Sequence, residues 1–182
     1  MSRHPTSVRG ARMKFSLMFV PLVRYRHVSV ILGVSPTKDA VVIAHTTGSG
    51  DSFAVKSITS IQFQARSGDD LTELLQRLVA VFDRRGKKVS AIALLGSSSG
   101  RFKSSVESIK AEAITQLAAA KSGLPVVKVT AASLKAVLGC ATGQKWQARA
   151  GERFNPAGRQ KQWSKAAAGA VVAALKVDQG TT

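Results

Sequence analysis

The sequence predicts a mixed α/β sheet of five strands with helices on both faces, and three observations carry that expectation. Three strand-like runs follow one another through short turns in the first third of the chain. The apolar repeat then changes from period two to about 3.6, the helical value. From there strand and helix patterns alternate, giving the order βββαβαβα, which short turns and crossovers fold into one sheet.

The first strand is read over Val28–Val34, whose β-branched residues are apolar at successive positions. Such a run suits a strand covered on both faces. Gly33 permits close backbone approach and Pro36 ends the strand, so Ser35 sits at its C-terminal lip, where open α/β sheets place their chemistry. A turn at Pro36–Asp39 leads to a second strand, Ala40–His45, close enough for an antiparallel hairpin. Residues 46–52 read as a plain turn. The third strand is Phe53–Phe63, in which alternation places Val55, Ile61 and Phe63 on one face.

Leu71, Leu74, Leu75, Leu78, Val79 and Phe82 recur at helical spacing behind the capping pair Asp69-Asp70, and Gly86 closes that helix. Val89–Leu95 is a fourth apolar strand, followed by the polar loop Gly96–Lys103. Ser104-x-x-Glu107 has the form of a capping box, with Val106, Ile109, Ala113, Ile114 and Leu117 as the expected buried stripe. Gly123 and Pro125 stop this helix before a fifth strand, Val126–Thr130, and a short helix, Ala131–Leu138. A basic segment bounded by glycines follows, then a last helix from about Gly158 to Val177. The domain so defined spans residues 28–177, between a basic arm (1–27) and a short tail (178–182).

The 182 residues are 45% hydrophobic, enough for one real core, and the formal net charge is +17. An excess of that size calls for a polyanionic partner, nucleic acid before any other, and no membrane partner is expected. The single cysteine, Cys140, excludes an intramolecular disulfide framework, and His4, His27 and His45 are too scattered for a zinc site. Residues 15–23 are apolar behind Arg9, Arg12 and Lys14, yet no small-residue cleavage site follows. The absence of acids before Asp39 is also the composition of a mitochondrial transit peptide. The expected location is therefore cytoplasmic and nucleoid-associated, or the mitochondrial matrix if the arm is a targeting segment.

Ile31-Leu32-Gly33-Val34-Ser35-Pro36 resembles a hydrophobic-Gly-hydrophobic-Asp-Pro signature, that of the first strand in RuvC-type Holliday junction resolvases of the ribonuclease H-like superfamily. Gly123-Leu124-Pro125-Val126, residues 131–139 and Ala141-Thr142-Gly143-Gln144-Lys145 are similar to later segments of that family, in the same order. The resemblance covers about residues 28–177 and implies a ribonuclease H-like fold and a homodimer. It places Lys135 and Lys145 on DNA-contacting lysines. It also implies acids on the first strand, the fourth strand and the last helix, holding two divalent ions that clamp the attacking and leaving oxygens. At those positions this chain has Ser35, the stretch from Leu94 to Gly96, and Ala166 with Gly169. The expectation is a relative with neither metal site nor cofactor, hence no catalytic residues.

The basic side of the resemblance is kept. From Lys135 to Lys165 there are seven cations against one acid, Glu152, and both tryptophans, Trp146 and Trp163, lie among them. Lys135, Lys145, Arg149 and Arg153 are the expected phosphate contacts, Trp146 a stacking surface, and Arg101, Phe102 and Lys103 a loop that reaches the ligand. The expected function is binding of structured or branched DNA or RNA, or scaffolding of a nucleoprotein assembly, without cleavage. The alternatives are a magnesium-dependent junction endonuclease with displaced acids, Asp39 among them, and a structural subunit that binds protein.

Overall fold

In the computed structural model, which describes residues 30–85, 88–96 and 104–181, the chain is organised around one strand. β1 (Val30–Pro36) runs through the middle of a five-stranded sheet. It pairs antiparallel with β2 (Ala40–Thr47), which pairs antiparallel with β3 (Ala54–Gln62). On its other side β1 pairs parallel with β4 (Val89–Leu95), and β4 with β5 (Val126–Val129), so the spatial order is β3-β2-β1-β4-β5. The expected mixed sheet is the observed one, with β1 ending at Pro36; Val28, Ser29 and the arm lie outside the described residues.

The pleat of β1 sends alternate side chains to two different cores. Leu32 and Val34 pack with Val41, Ile43, Ile92 and Leu94 under α1 (Gly68–Arg85) and α2 (Val106–Lys121). Ile31 faces the other way, toward α3 (Ala131–Val137), α4 (Trp146–Phe154) and α5 (Lys165–Thr181). Gly33, on that second face, lies so near α5 that an added Cβ would overlap the Ala170 carbonyl oxygen. No helix among the described residues is long and apolar enough to cross a membrane.

Several local expectations are corrected by tertiary packing. Val55 does not share a face with Ile61 and Phe63. His45 pairs with Ser57 and Thr46 with Val55, leaving Lys56 as an extra residue in β3. This bulge flips the parity, so Val55 joins Ile58 toward α5 while Ile61 and Phe63 stay under α1. Residues 46–52 are more than a turn: β2 runs to Thr47, and the buried Thr46 hydroxyl donates to the Ile31 carbonyl at 2.8 Å. α1 is capped by Ser67, whose hydroxyl accepts from the Asp70 amide at 3.1 Å. The Asp70 carboxylate accepts in return from the Ser67 and Arg66 amides, at 2.9 and 3.0 Å. Gly86, expected to close α1, is outside the described residues.

α2 is capped by Ser105 rather than Ser104, its hydroxyl accepting from the Ser108 amide at 3.1 Å. Of the expected buried stripe of α2, Ile114 packs against the core and the rest is turned outward. Val106, Ile109 and Leu117 are exposed, and Ala111, Glu112, Thr115, Ala118 and Ala119 face inward. The small face allows the helix to approach α1 and the sheet closely, and its polar members are satisfied there. Thr115 donates to the Ala111 carbonyl at 2.7 Å, and Glu112 pairs with Lys128 at 3.0 Å. α4 forms within the basic segment, for which no helix was expected, and turns Trp146, Ala150 and Phe154 to the core. α5 begins at Lys165 and continues through Thr181, so residue 178 is no tail: buried Asp178 accepts from the Gly50 amide at 3.0 Å.

Candidate functional site

β1 and β4 are parallel neighbours, so Pro36 and Leu95 end at the same edge of the sheet, beside the point where strand direction reverses. Open α/β sheets bind ligands in such a crevice. Gly96 continues β4 over this edge, its amide donating to the Val129 carbonyl at 2.9 Å. α5 crosses the same edge with its first turns, bringing Ala166 and Gly169 to the end of β1. The four positions singled out in the sequence, Ser35, Gly96, Ala166 and Gly169, therefore converge.

The convergence point has been refilled. A Cβ placed on Gly169 would stand 2.8 Å from Leu95 Cδ2, 3.5 Å from Ser35 Oγ and 3.6 Å from Trp146 Cη2. Leu95 and the tip of the indole thus occupy the space into which a longer side chain at 169 would project. Between them and the β1 terminus remains a cavity of about 450 Å³. Hydroxyl residues line much of it (Ser35, Thr37, Ser104, Ser108, Ser164), with the Lys165 side chain and Trp146 among the other walls.

Carboxylates near the edge are committed elsewhere. Glu112 Oε1 comes within 3.8 Å of a Cβ built on Gly96, but the carboxylate is paired with Lys128. Asp39 accepts from the Thr37 hydroxyl at 3.1 Å and lines a separate hollow beside α1 with Asp70 and Glu73. There Asp70 is spent on the helix cap, the Ser67 amide first among the groups that hold its carboxyl below the ordinary value. Glu73 lies 3.6 Å from Arg77. Among the described residues no group of three or more His, Cys, Asp or Glu is placed to hold a metal ion.

The basic residues divide into two sets. Lys145, at the N-terminus of α4, lines a groove of about 590 Å³ with Gln147, Trp163, Ser164, Lys165 and Ala168. This groove shares Ser164 and Lys165 with the cavity beside Ser35, so Lys145 and the strand ends belong to one continuous surface. Lys135 lies exposed on α3. Arg149 pairs with Glu152 at 3.3 Å, and the Arg153 guanidinium stands 5.1 Å from the centre of the Phe154 ring. Trp146 and Trp163 pack against the core beneath α5 while each also borders a cavity. Arg101, Phe102 and Lys103 lie outside the described residues.

Sequence reading missed the hydroxyl lining, because Thr37, Ser104, Ser108 and Ser164 come from four separate segments. One signal was available. Ser164 precedes a run of small helix formers and caps α5, its hydroxyl accepting from the Ala167 amide at 3.1 Å.

No protein-family model matches the chain, and no curated protein matches it. Solved structures do. The Thermus thermophilus RuvC structure aligns with a TM-score of 0.67 at 15% identity, covering 84% of this chain and 95% of that one. T. thermophilus RuvC in complex with Holliday junction substrate gives 0.66 at 14% identity, with the same shares covered. The chain has the ribonuclease H-like fold of RuvC.

Proposed function

We propose that this protein binds structured or branched nucleic acid, or scaffolds a nucleoprotein assembly, without cutting it. One observation carries the reading. At the strand ends of a RuvC fold, where two-metal phosphodiester chemistry needs converging carboxylates, this chain brings together a serine, two glycines and an alanine, packed against Leu95 and Trp146. The solved neighbour bound to a Holliday junction and the net charge of +17 support a polyanionic, branched partner. Lys135 and Lys145 supply central phosphate contacts, with Arg149, Arg153 and the loop residues Arg101 and Lys103 around them, and Phe102 and Trp146 as aromatic contacts. A nucleoid or the mitochondrial matrix fits such a partner.

A homodimer goes with this reading, and α2 supports it. Its exposed apolar residues, Val106, Ile109, Ala113, Leu117 and Ala120, are spaced symmetrically about Ala113. Two such helices packed antiparallel on a two-fold axis would set Ile109 against Leu117 of the partner subunit, with small alanines at the crossing. A self-complementary patch of this kind is what an isologous interface requires. Ile109→Glu is expected to give a monomer by sedimentation.

The function is tested with labelled four-way junctions. Binding is expected to weaken steeply with salt, and Lys135→Ala with Lys145→Ala to flatten the log K against log salt slope by about 2. The junction is expected to stay intact with Mg²⁺ or Mn²⁺. Cleavage abolished by EDTA and by Asp39→Ala would overturn the noncatalytic reading.

A further inference from the structure

The cavity at the strand ends has a chemistry of its own. Ser35 is only 4% exposed, and its Oγ faces Gly169 at the cavity wall. Ser104 adds a second hydroxyl, and Ser108, whose hydroxyl donates to the Ser105 carbonyl at 2.8 Å, keeps its oxygen as an acceptor; the Thr37 and Ser164 hydroxyls are engaged with Ala40 and Ala167. Trp146 provides an aromatic wall, and Pro36, Leu95 and Ala166 provide apolar ones.

Among the described residues one charged residue borders this space. Lys165 lines both the cavity and the Lys145 groove, so it marks the opening between them. Ser164 already takes the Ala167 and Ala168 amides, and the first-turn amides ahead of them have no acceptor within the helix. Among the described residues, the anion-binding groups thus lie on one side of a mostly neutral pocket. The volume of about 450 Å³ falls in the range of small-molecule sites, on the order of 300–1,000 Å³, and far exceeds what a lone phosphate fills.

We infer that this cavity binds a single nucleotide unit, with its base among the hydroxyls of Ser35, Ser104 and Ser108 beside Trp146, and its phosphate held by Lys165. The inference rests on the nucleic-acid reading above and deepens it. A base lifted out of the stack is recognised by hydrogen bonds to its edge and by apolar or aromatic walls, the two things this pocket offers. The nucleotide comes either from a strand lying in the Lys145 groove or from a free mononucleotide, and the same chemistry serves both.

The experiment is a titration of the full chain, isotopically labelled, read at the amides of Ser35, Gly96 and Gly169 and at the Trp146 indole. Probes are a nucleoside monophosphate, the matching nucleoside, inorganic phosphate, Mg²⁺, a short single strand and a four-way junction. The monophosphate and the single strand are expected to shift all four signals. Lys165→Met should weaken the monophosphate about tenfold and leave the nucleoside unchanged, the loss expected for one charged hydrogen bond. Ala131→Trp, an exposed position on the cavity wall, should block monophosphate and nucleoside alike.

Shifts caused equally by inorganic phosphate, with none from the nucleoside, would overturn the inference in favour of a plain anion site. A response to Mg²⁺ alone would overturn it in favour of a cation site. Junction binding with these signals unmoved by any probe would also sink it while leaving the nucleic-acid reading standing. A monophosphate that binds when neither strand nor junction does would support the pocket and sink the broader reading.

Discussion

The two faces of the sheet are packed in opposite ways. Under α1 and α2 the core is built from large side chains, with Leu74, Leu78 and Phe82 fully buried against Leu32, Val34 and Ile92. Under α5 it is built largely from small ones: Ala167, Ala168, Ala170, Ala173 and Ala174 are buried, and the helix backbone sits directly over Gly33. Side chains hold α1 off the sheet, whereas backbone contact sets the position of α5. The candidate site lies on the second face, which is why a side chain at position 169 must displace Leu95 and why the remaining space is a defined cavity.

The contrast breaks most sharply at Gly33. Gly33→Val forces α5 off the sheet and is expected to cost more than about 3 kcal/mol, read as failure to fold or a large drop in the urea midpoint. Leu78→Ala tests the other face by removing volume instead of adding it. It should cost about 3 kcal/mol, with the fold retained and a cavity left beneath α1. Gly169→Asp should cost about 2 kcal/mol, because the new side chain meets Leu95 and buries a carboxylate. Paired with Ser35→Asp it should still give no Mg²⁺-dependent cleavage of a junction, since Leu95 and Trp146 hold the space.

The smallest effect belongs to the α1 cap. Asp70 has its carboxyl held below the ordinary value, chiefly by the Ser67 amide. A carboxyl depressed in the folded state contributes stability above its unfolded pKa and loses it as pH falls through the folded one. Asp70→Asn should therefore be less stable than the parent at neutral pH, with the difference closing below about pH 4, the ordinary aspartate range, in a series of denaturant melts. A gap that persists at lower pH would assign the effect to packing rather than to the charged cap. Glu107, held low by its own amide and by the Ser105 hydroxyl, should show the same sign at α2.

Much of the fold is legible because it is local. Strand runs, helical spacing and the stops between them lie within single segments, so β1 to β5, α1, α2 and α3 were placed to within a few residues. The positions Ser35, Gly96, Ala166 and Gly169 could be chosen through motif order alone. α4 was missed because its apolar stripe, Trp146, Ala150 and Phe154, is only three residues long and is interleaved with Arg149, Glu152 and Arg153. Asp178 was misplaced because its partner, Gly50, is distant in sequence.

By itself, then, the chain's sequence determined the order of its elements, its positive charge and the residue types at the strand ends. Only the tertiary structure decided that Val55 turns toward α5, that α2 shows Val106, Ile109 and Leu117 to solvent, and that Leu95 and Trp146 fill the space beside Gly169. The reason is one of range. Periodicity is set by neighbours along the chain, but which face is covered, and what fills a gap, depends on the shape of whatever arrives from elsewhere.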